Sequence, residues 1–206
     1  MENIQNLLRK DRIDASTLGM ESLQLLTDGS SSNEQIALEA SKAVLFDGQW
    51  QDVKNIIFSL VSDGHTICES DEHAYEVSDE LGAKLRLALS IIGNALNVVC
   101  QQKNRKHVTM DVDVDEMKDL MDSLTTFMKE EEEFSSNSNI QTVYHAARCL
   151  SYIIDLSPEL RSAAADLGMI EVVRNNIAER ATRHHLLQNV SDRIMLCLGG
   201  IKGEKN

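Results

Sequence analysis

The sequence comprises 206 residues, which suits one domain or one short run of repeats. Hydrophobic residues make up 42% and charged residues 26%, a balance that argues against intrinsic disorder. The formal net charge is −13, and the compact basic run Lys103, Arg105 and Lys106 is too small for a nucleic-acid groove. We therefore expect neither a nucleic-acid partner nor binding to anionic membranes.

The first residues, the apolar windows and the cysteines indicate the cellular location that we expect for the protein. The first eleven residues are polar and lack the apolar region of a signal peptide. No window approaches about 18 uninterrupted apolar residues, so the sequence predicts no membrane-spanning helix. The cysteines form no C-x-x-C pair, and we expect reduced thiols in a cytoplasmic or nuclear protein: Cys68, Cys100, Cys149 and Cys197. The last three fall at similar places in predicted helices, which predicts equivalent buried positions.

Apolar residues recur at helical spacing along nearly the whole chain, and no stretch alternates as a strand would. The spacing predicts helices at about 17–28, 33–47, 50–62, 79–101, 113–130, 138–155, 158–167, 169–180 and 184–200. Two polar segments, 63–78 and 130–139, are predicted to be a loop and a linker. The sequence therefore predicts an all-α fold.

Two kinds of local signal mark helix boundaries. Ser157, Pro158 and Glu159 predict a helix start. Serine caps the helix N-terminus, proline at the first helical position has no backbone N–H that would be left unpaired, and glutamate is favoured at the positive end of the helix. Gly19 and Gly168 stand in similar Leu-Gly-Met contexts, each before an apolar segment. Since glycine adopts positive φ readily, we expect a sharp turn at both positions.

The last third of the chain carries the repeat signal. A short helix over 158–167 is followed by Gly168, a second helix over 169–178 and a third helix that ends near Ile201. The Ala-rich stretches Ala146–Ile154 and Ala88–Leu96 are similar to this third helix. The pattern resembles the armadillo repeat, and four second-helix/third-helix pairs extend the resemblance over most of the chain. It implies an armadillo-like α-superhelix, an α-solenoid of about four repeats, as a single domain over 1–206; the related HEAT-type repeat is the alternative.

The resemblance also implies a binding site. Third helices of armadillo repeats line a concave groove, and a residue near the end of each helix contacts the bound segment. The predicted groove combines three kinds of position: those that match this contact residue, those one helical turn earlier, and one further residue near them. Together they are Lys42, Phe46, Ser90, Asn94, Asn97, Arg148 and Tyr152. We expect this mixed polar and aromatic groove to hold a helical or extended segment of another protein. The acidic net charge favours a basic partner.

Catalytic and metal-binding patterns are weak. Asp111–Asp115 begins like a calcium loop, but Glu116 stands where a glycine must turn the chain, so an acidic helix start is the better interpretation. Two histidines and a cysteine within 65–73 have irregular spacing and no matching second pair for zinc. No phosphate-loop, dinucleotide, zinc-protease or serine-hydrolase motif occurs. We expect no metal, no cofactor and no enzymatic activity.

The sequence thus predicts a scaffold or adaptor that binds another protein in the concave groove. One alternative is a chaperone-regulating armadillo protein of the nucleotide-exchange type, because 87–94 loosely resembles small chaperone exchange factors. A second alternative is a structural assembly subunit that self-associates through its C-terminal helix. That helix carries Ile194, Leu196, Leu198 and Ile201 with few polar capping residues.

Overall fold

The computed structural model describes residues 13–28, 34–46, 51, 54–55, 57–61, 75–106, 113–129, 137–177 and 184–199. These residues are almost entirely helical and include no strand, which confirms the all-α fold class. The chain divides into two compact units, Met1–Asp111 and Val112–Asn206. The residues considered and declined as metal ligands, His65, Cys68, His73 and Asp111, lie outside the described residues.

The first unit contains helices α1 (Ile13–Thr27), α2 (Glu34–Leu45) and α3 (Tyr75–Lys106), and the described residues within 51–61 are helical as well. Helices α1 and α2 pack against each other, and both pack against α3. Helix α3 supplies the largest share of the buried apolar side chains described in this unit: Leu85, Ala88, Leu89, Ile91, Ile92, Ala95, Leu96, Val98 and Val99.

The segment Gly82–Lys103 of α3 is long and apolar enough to cross a membrane by length and composition alone. Most of this segment is buried inside the fold. A core helix of a globular unit has the same composition, because its apolar side chains are covered by neighbouring helices rather than by lipid. The burial of α3 by α1 and α2 accounts for its apolar character within the described part of the chain.

Two sequence predictions about the first unit are wrong in detail. Helix α3 begins at Tyr75, inside the predicted loop 63–78. The residues of its first turns are polar and acidic, and they are nevertheless helical. Gly19 lies inside α1, where the chain is helical, and it forms no turn. The helix continues through Gly19 from Leu18 to Met20, so the similarity to Gly168 does not extend to conformation.

The second unit contains α4 (Val114–Lys129), α5 (Asn137–Leu156), α6 (Pro158–Asp166), α7 (Met169–Val172) with a π-helical turn directly after it (Val173–Ile177), and α8 (His185–Gly199). Helix α5 packs against α4, α6 and α8. The core of the unit includes fully buried side chains of α4, α5, α6, the π-helical turn and α8: Met121, Leu124, Ala146, Ala147, Leu150, Ile153, Ile154, Leu160, Val173, Ile177, Leu187, Ile194 and Leu198.

The helix boundaries predicted in the second unit at Ser157 and Gly168 are confirmed. The Ser157 Oγ accepts a hydrogen bond from the Leu160 N–H at 3.1 Å, with Pro158 at the start of α6. Gly168 has φ of 72° and separates α6 from α7. At the start of α4, the Asp113 Oδ1 accepts hydrogen bonds from the backbone N–H groups of Asp115 and Glu116. This carboxylate satisfies orphan donors of a helix end, as the acidic-helix-start interpretation predicts.

Further predictions are corrected near the C-terminus. The helix predicted over 169–180 is α-helical to Val172 and then changes to a π-helical turn, while 178–183 lie outside the described residues. In α8, Ile194 and Leu198 are fully buried, so they are core residues; Leu196 is 79% exposed. Residue Ile201 lies outside the described part of the chain.

The three described cysteines form no disulfide. Cys100 and Cys149 are buried, as predicted, whereas Cys197 is partly exposed. The expectation of three equivalent buried positions is therefore wrong for Cys197. Its sulfur lies at the edge of the α5–α8 contact, where it bonds to a carboxylate of α5.

Candidate partner-binding surface

The seven predicted groove residues divide between the two units. Five belong to the first unit: Lys42 and Phe46 on or just after α2, and Ser90, Asn94 and Asn97 on α3. The other two, Arg148 and Tyr152, lie on α5 of the second unit. A groove formed by all seven stays a prediction, while the arrangement within each unit is described below.

In the first unit, two predicted residues on α3 bond to Gln24 of α1. The Gln24 Nε2 donates to the Ser90 Oγ at 2.8 Å, and the Asn94 Nδ2 donates to the Gln24 carbonyl oxygen at 3.4 Å. Ser90 is buried and Asn94 is partly exposed. These bonds satisfy polar groups at the α1–α3 contact, which a buried contact requires. The Ser90 hydroxyl therefore contributes to helix packing.

The remaining predicted residues of the first unit are more accessible. Lys42 is exposed, and Phe46 follows α2 as a partly exposed side chain. Asn97 is partly exposed, and its Oδ1 accepts a hydrogen bond from the Gln101 Nε2 at 3.2 Å. This bond joins two residues four apart on one face of α3. Lys42, Phe46 and Asn97 thus present side-chain atoms at the surface of the first unit.

In the second unit, Arg148 and Tyr152 form one cluster with Arg193 of α8. The guanidinium carbon of Arg193 lies 4.5 Å from the centroid of the Tyr152 ring, and that of Arg148 lies 5.8 Å from the same centroid. Residues 148 and 152 are four apart, so the helix places them on one face. A guanidinium within about 6 Å of a ring centroid is attracted by the ring quadrupole. The partly exposed ring of Tyr152 is therefore in contact with two cations.

Asp155 of α5 completes this cluster. One carboxylate oxygen forms a salt bridge with the Arg193 guanidinium, and the other accepts a hydrogen bond from the Cys197 Sγ at 3.4 Å. The salt bridge fixes Arg193 beside the Tyr152 ring. Arg193 and Cys197 are separated from Asp155 by 38 and 42 residues, a distance over which sequence spacing carries no signal. We call Arg148, Tyr152, Asp155 and Arg193 the Tyr152 cluster.

The thiols near this cluster are poor nucleophiles. Partial burial and the Asp155 carboxylate raise the pKa of the Cys197 thiol above its ordinary value, while Arg161 and Arg193 oppose the shift. Burial raises the pKa of Cys149, which lies beside Arg148 in sequence, to about 12. Since the thiolate is the reactive form, both groups are kept in the unreactive state near neutral pH.

Aromatic rings continue this face of α5 toward its N-terminus. The Tyr144 ring lies 5.1 Å from the His145 ring and 5.9 Å from the His184 ring, and His184 stacks on His185 at 6.1 Å. The His184 Nδ1 accepts a hydrogen bond from the Leu187 N–H at 3.2 Å and so caps α8. Tyr144 lies four residues before Arg148, so Tyr144, Arg148 and Tyr152 form one line along α5, which we call the α5 stripe.

No group of three or more His, Cys, Asp or Glu side chains in the described residues is arranged to hold a metal ion. The sequence reasoning identified Arg148 and Tyr152 but missed Asp155 and Arg193. A signal for Asp155 was present, because it lies three residues after Tyr152 on the same helical face. The position of Arg193 depends on how α8 packs on α5.

Comparison with known proteins gives no family for this chain. No protein-family model matches it, and no curated protein matches it. Among solved structures, the chain is similar to a crystal structure of an engineered protein, at 14% sequence identity and with a TM-score of 0.34. That comparison covers 97% of this chain and 96% of the engineered protein. A likeness at this level carries no argument about fold or function.

Proposed function

We propose that the chain is a non-catalytic binding module of the armadillo type that holds a segment of a partner protein. The Tyr152 cluster carries the proposal. Tyrosine and arginine are the side chains most enriched at binding hot spots, because each combines a large contact area with polar groups. Here a partly exposed tyrosine ring has two arginines close to it, one of which is anchored by a salt bridge.

Pre-organisation is the second support. A side chain that is already ordered loses less conformational entropy on binding, which is a saving of about 1 kcal/mol for a side chain with many rotamers. Arg193 is ordered by Asp155, and its guanidinium lies 4.5 Å from the centroid of the Tyr152 ring. The helix-glycine-helix sequence of α6 and α7 followed by α8 also fits the repeat unit that the sequence resembles.

The experiment compares protein partners captured from cells by the wild-type chain and by charge-reversed variants. We expect Arg148→Glu, alone and with Lys42→Glu, to lose partners that the wild type captures. Arg174→Glu is the matched control, because Arg174 is an exposed cation of the same unit and belongs to the π-helical turn, which contributes no residue to the Tyr152 cluster. Partner sets that are the same for Arg148→Glu and Arg174→Glu would refute the proposal, provided that circular dichroism shows both variants folded.

A second candidate is self-association through α8. Leu196 is 79% exposed on this helix, the largest exposure among the large apolar side chains described. A wide apolar contact between copies would cover it, since exposed leucine favours burial by about 25 cal/mol per Å². Light scattering over a range of concentrations tests this candidate: Leu196→Lys should lower a concentration-dependent mass, and a wild type that stays monomeric would rule the candidate out.

A further inference from the structure

Helix α1 carries apolar side chains on the side that its own unit leaves exposed. Leu25 is 70% exposed and Leu18 is 54% exposed. These two residues are seven apart, so they lie within about 20° of each other around the helix axis. Met20 and Leu23 are fully buried and lie on the opposite side of the helix. Helix α1 is therefore apolar on two sides, and α2 and α3 cover the side of Met20 and Leu23.

Ser22 and Glu21 complete the exposed side of α1. Ser22 follows Leu18 by four residues, and its Oγ donates a hydrogen bond to the Leu18 carbonyl oxygen at 2.8 Å. The serine donor is thus satisfied within the helix. Glu21 is exposed and lies at one edge of this side, between the two leucines in sequence. We call Leu18, Glu21, Ser22 and Leu25 the α1 stripe.

Glu21 supplies the charge of the α1 stripe. Within the described part of the chain its carboxylate forms no hydrogen bond or ion pair. Helix α1 itself has no Lys or Arg from Ile13 to Thr27. The charged side chains described on the two helices that pack against α1 are Glu34, Glu39, Lys42, Lys84, Arg86 and Lys103. Asp28 follows α1 directly, and the basic residues Arg9, Lys10 and Arg12 precede it, outside the described residues.

The charges of α2 and α3 are separated from the α1 stripe by α1 itself. Packed helices have axes about 8–10 Å apart, and the screening length at physiological salt is about 8 Å. Charges on the covered side of α1 therefore contribute little on its exposed side. A ligand that lies on Leu18 and Leu25 meets the Glu21 carboxylate first, so the stripe favours a positive charge beside its apolar contact.

Gln24, the residue before Leu25, fixes the position of α1. Its Nε2 donates to the Ser90 Oγ of α3 at 2.8 Å, and its carbonyl oxygen accepts from the Asn94 Nδ2 at 3.4 Å. These two bonds hold one turn of α1 against α3. The α1 stripe is therefore presented without rearrangement of the helix, which lowers the cost of binding a partner.

The position of Glu21 also distinguishes between two occupants of the stripe. In an antiparallel contact between two copies of α1, centred on the stripe, two-fold symmetry places both Glu21 side chains on the same edge and close together. Like charges at that spacing are unfavourable. A different helix that carries Lys or Arg at this position gains an ion pair instead. Charge complementarity therefore favours a basic partner helix over a second copy of this chain.

We propose that the α1 stripe is a docking surface for a basic amphipathic helix of a partner protein. Apolar residues of that helix pack on Leu18 and Leu25, and a Lys or Arg beside them pairs with Glu21. Recognition of this kind uses apolar anchors one and two turns apart, and flanking ion pairs set the choice and orientation of the partner. The stripe belongs to the first unit and the Tyr152 cluster to the second, so the two binding proposals are independent.

The test measures fluorescence anisotropy of labelled peptides with the full chain, in about 150 mM salt. The probe is a peptide of about 18 residues, or five helical turns, with leucines along one helical face and lysines on the remaining positions. One control peptide has the same composition with the leucines distributed around the helix, and a second has glutamate in place of lysine. We expect the probe to bind at least about tenfold more tightly than either control peptide.

Variants of the chain locate the binding site. Leu18→Ser with Leu25→Ser should weaken binding of the probe at least about tenfold, whereas Leu196→Ser, at another exposed leucine, should leave it unchanged. Glu21→Lys should weaken binding more than Asp119→Lys, because Asp119 is an exposed carboxylate in the middle of α4 and the change in net charge is the same. Circular dichroism checks that each variant is folded.

Three results would overturn the inference. The first is equal affinity for the probe and the peptide with distributed leucines. The second is a folded stripe variant that binds the probe as tightly as the wild type does, or equal effects of Glu21→Lys and Asp119→Lys. The third is a molar mass in light scattering that rises with concentration for the wild type and stays monomeric for Leu25→Ser, since a second copy of the chain would then cover the stripe.

Discussion

Arg193 joins two interactions whose contributions can be separated. Its salt bridge with Asp155 has side chains that are 39% and 22% exposed, so solvent screening limits the pair to about 1 kcal/mol. Its guanidinium lies 4.5 Å from the centroid of the Tyr152 ring, a cation–π contact worth about 1 kcal/mol near a surface. Arg193→Met, which keeps the apolar stem, should therefore lower the free energy of unfolding by about 2 kcal/mol.

Urea unfolding followed by circular dichroism measures this loss, and double-mutant cycles divide it. Asp155→Asn with Arg193→Met gives the ion-pair coupling, and Tyr152→Leu with Arg193→Met gives the cation–π coupling. In about 1 M salt, where the screening length is about 3 Å, the first coupling should fall more than the second. Arg174→Met, at an exposed arginine, is the control and should change stability by less than about 0.5 kcal/mol.

Two couplings that are both below about 0.3 kcal/mol would refute this prediction, because Arg193 would then be energetically independent of its two neighbours. A loss of stability in Arg193→Met that is no larger than the loss in Arg174→Met would refute it as well. A large ion-pair coupling with a negligible ring coupling would show that Arg193 does not position Tyr152, since the salt bridge alone would account for the order of Arg193.

Three further predictions concern helix ends and the core. Ser157→Ala should cost about 1 kcal/mol in urea unfolding, because it removes the acceptor for the Leu160 N–H, and Ser157→Asp should retain most of that stability. Gly168→Ala should cost about 1 kcal/mol from its φ of 72° alone, since no atom lies within 4 Å of the added Cβ, and Gly168→Asn should cost less. The pKa of the Cys149 thiol is raised from 9.0 to about 12 in the fold. Its contribution to the free energy of unfolding is therefore fully present below pH 9.0 and is lost as the pH rises toward 12, at about 1 kcal/mol per pH unit. Unfolding measured in alkaline buffers should therefore show a smaller slope for Cys149→Ala than for the wild type, and equal slopes would contradict the burial argument.

Local chemistry made much of the fold predictable. The cap at Ser157 and the positive φ of Gly168 depend on a few adjacent residues, and both are found as predicted. Gly19 shows the limit of that reasoning, because the same Leu-Gly-Met context lies inside a helix there. Whether a glycine turns the chain depends on what the flanking side chains pack against, and sequence similarity alone does not give that information.

The candidate surface was predictable only in part. Arg148 and Tyr152 follow from helical spacing and from the resemblance of α5 to a third helix. Asp155 and Arg193 meet because α8 packs along α5, and no pattern in the sequence specifies that packing. The polar start of α3 at Tyr75 was missed for a related reason: apolar periodicity is absent from turns that are helical yet polar.

Helix α5 has its core and its exposed stripe on opposite sides of a single cylinder. Ala147 and Leu150 lie inside the second unit, while Arg148 and Tyr152, their near neighbours in sequence, lie at its surface. Exchanges at positions 144, 148 and 152 can consequently change the chemistry of this surface while the interior keeps its volume and shape. Selection, or an engineer, could replace the side chains of this surface without refolding the protein around it.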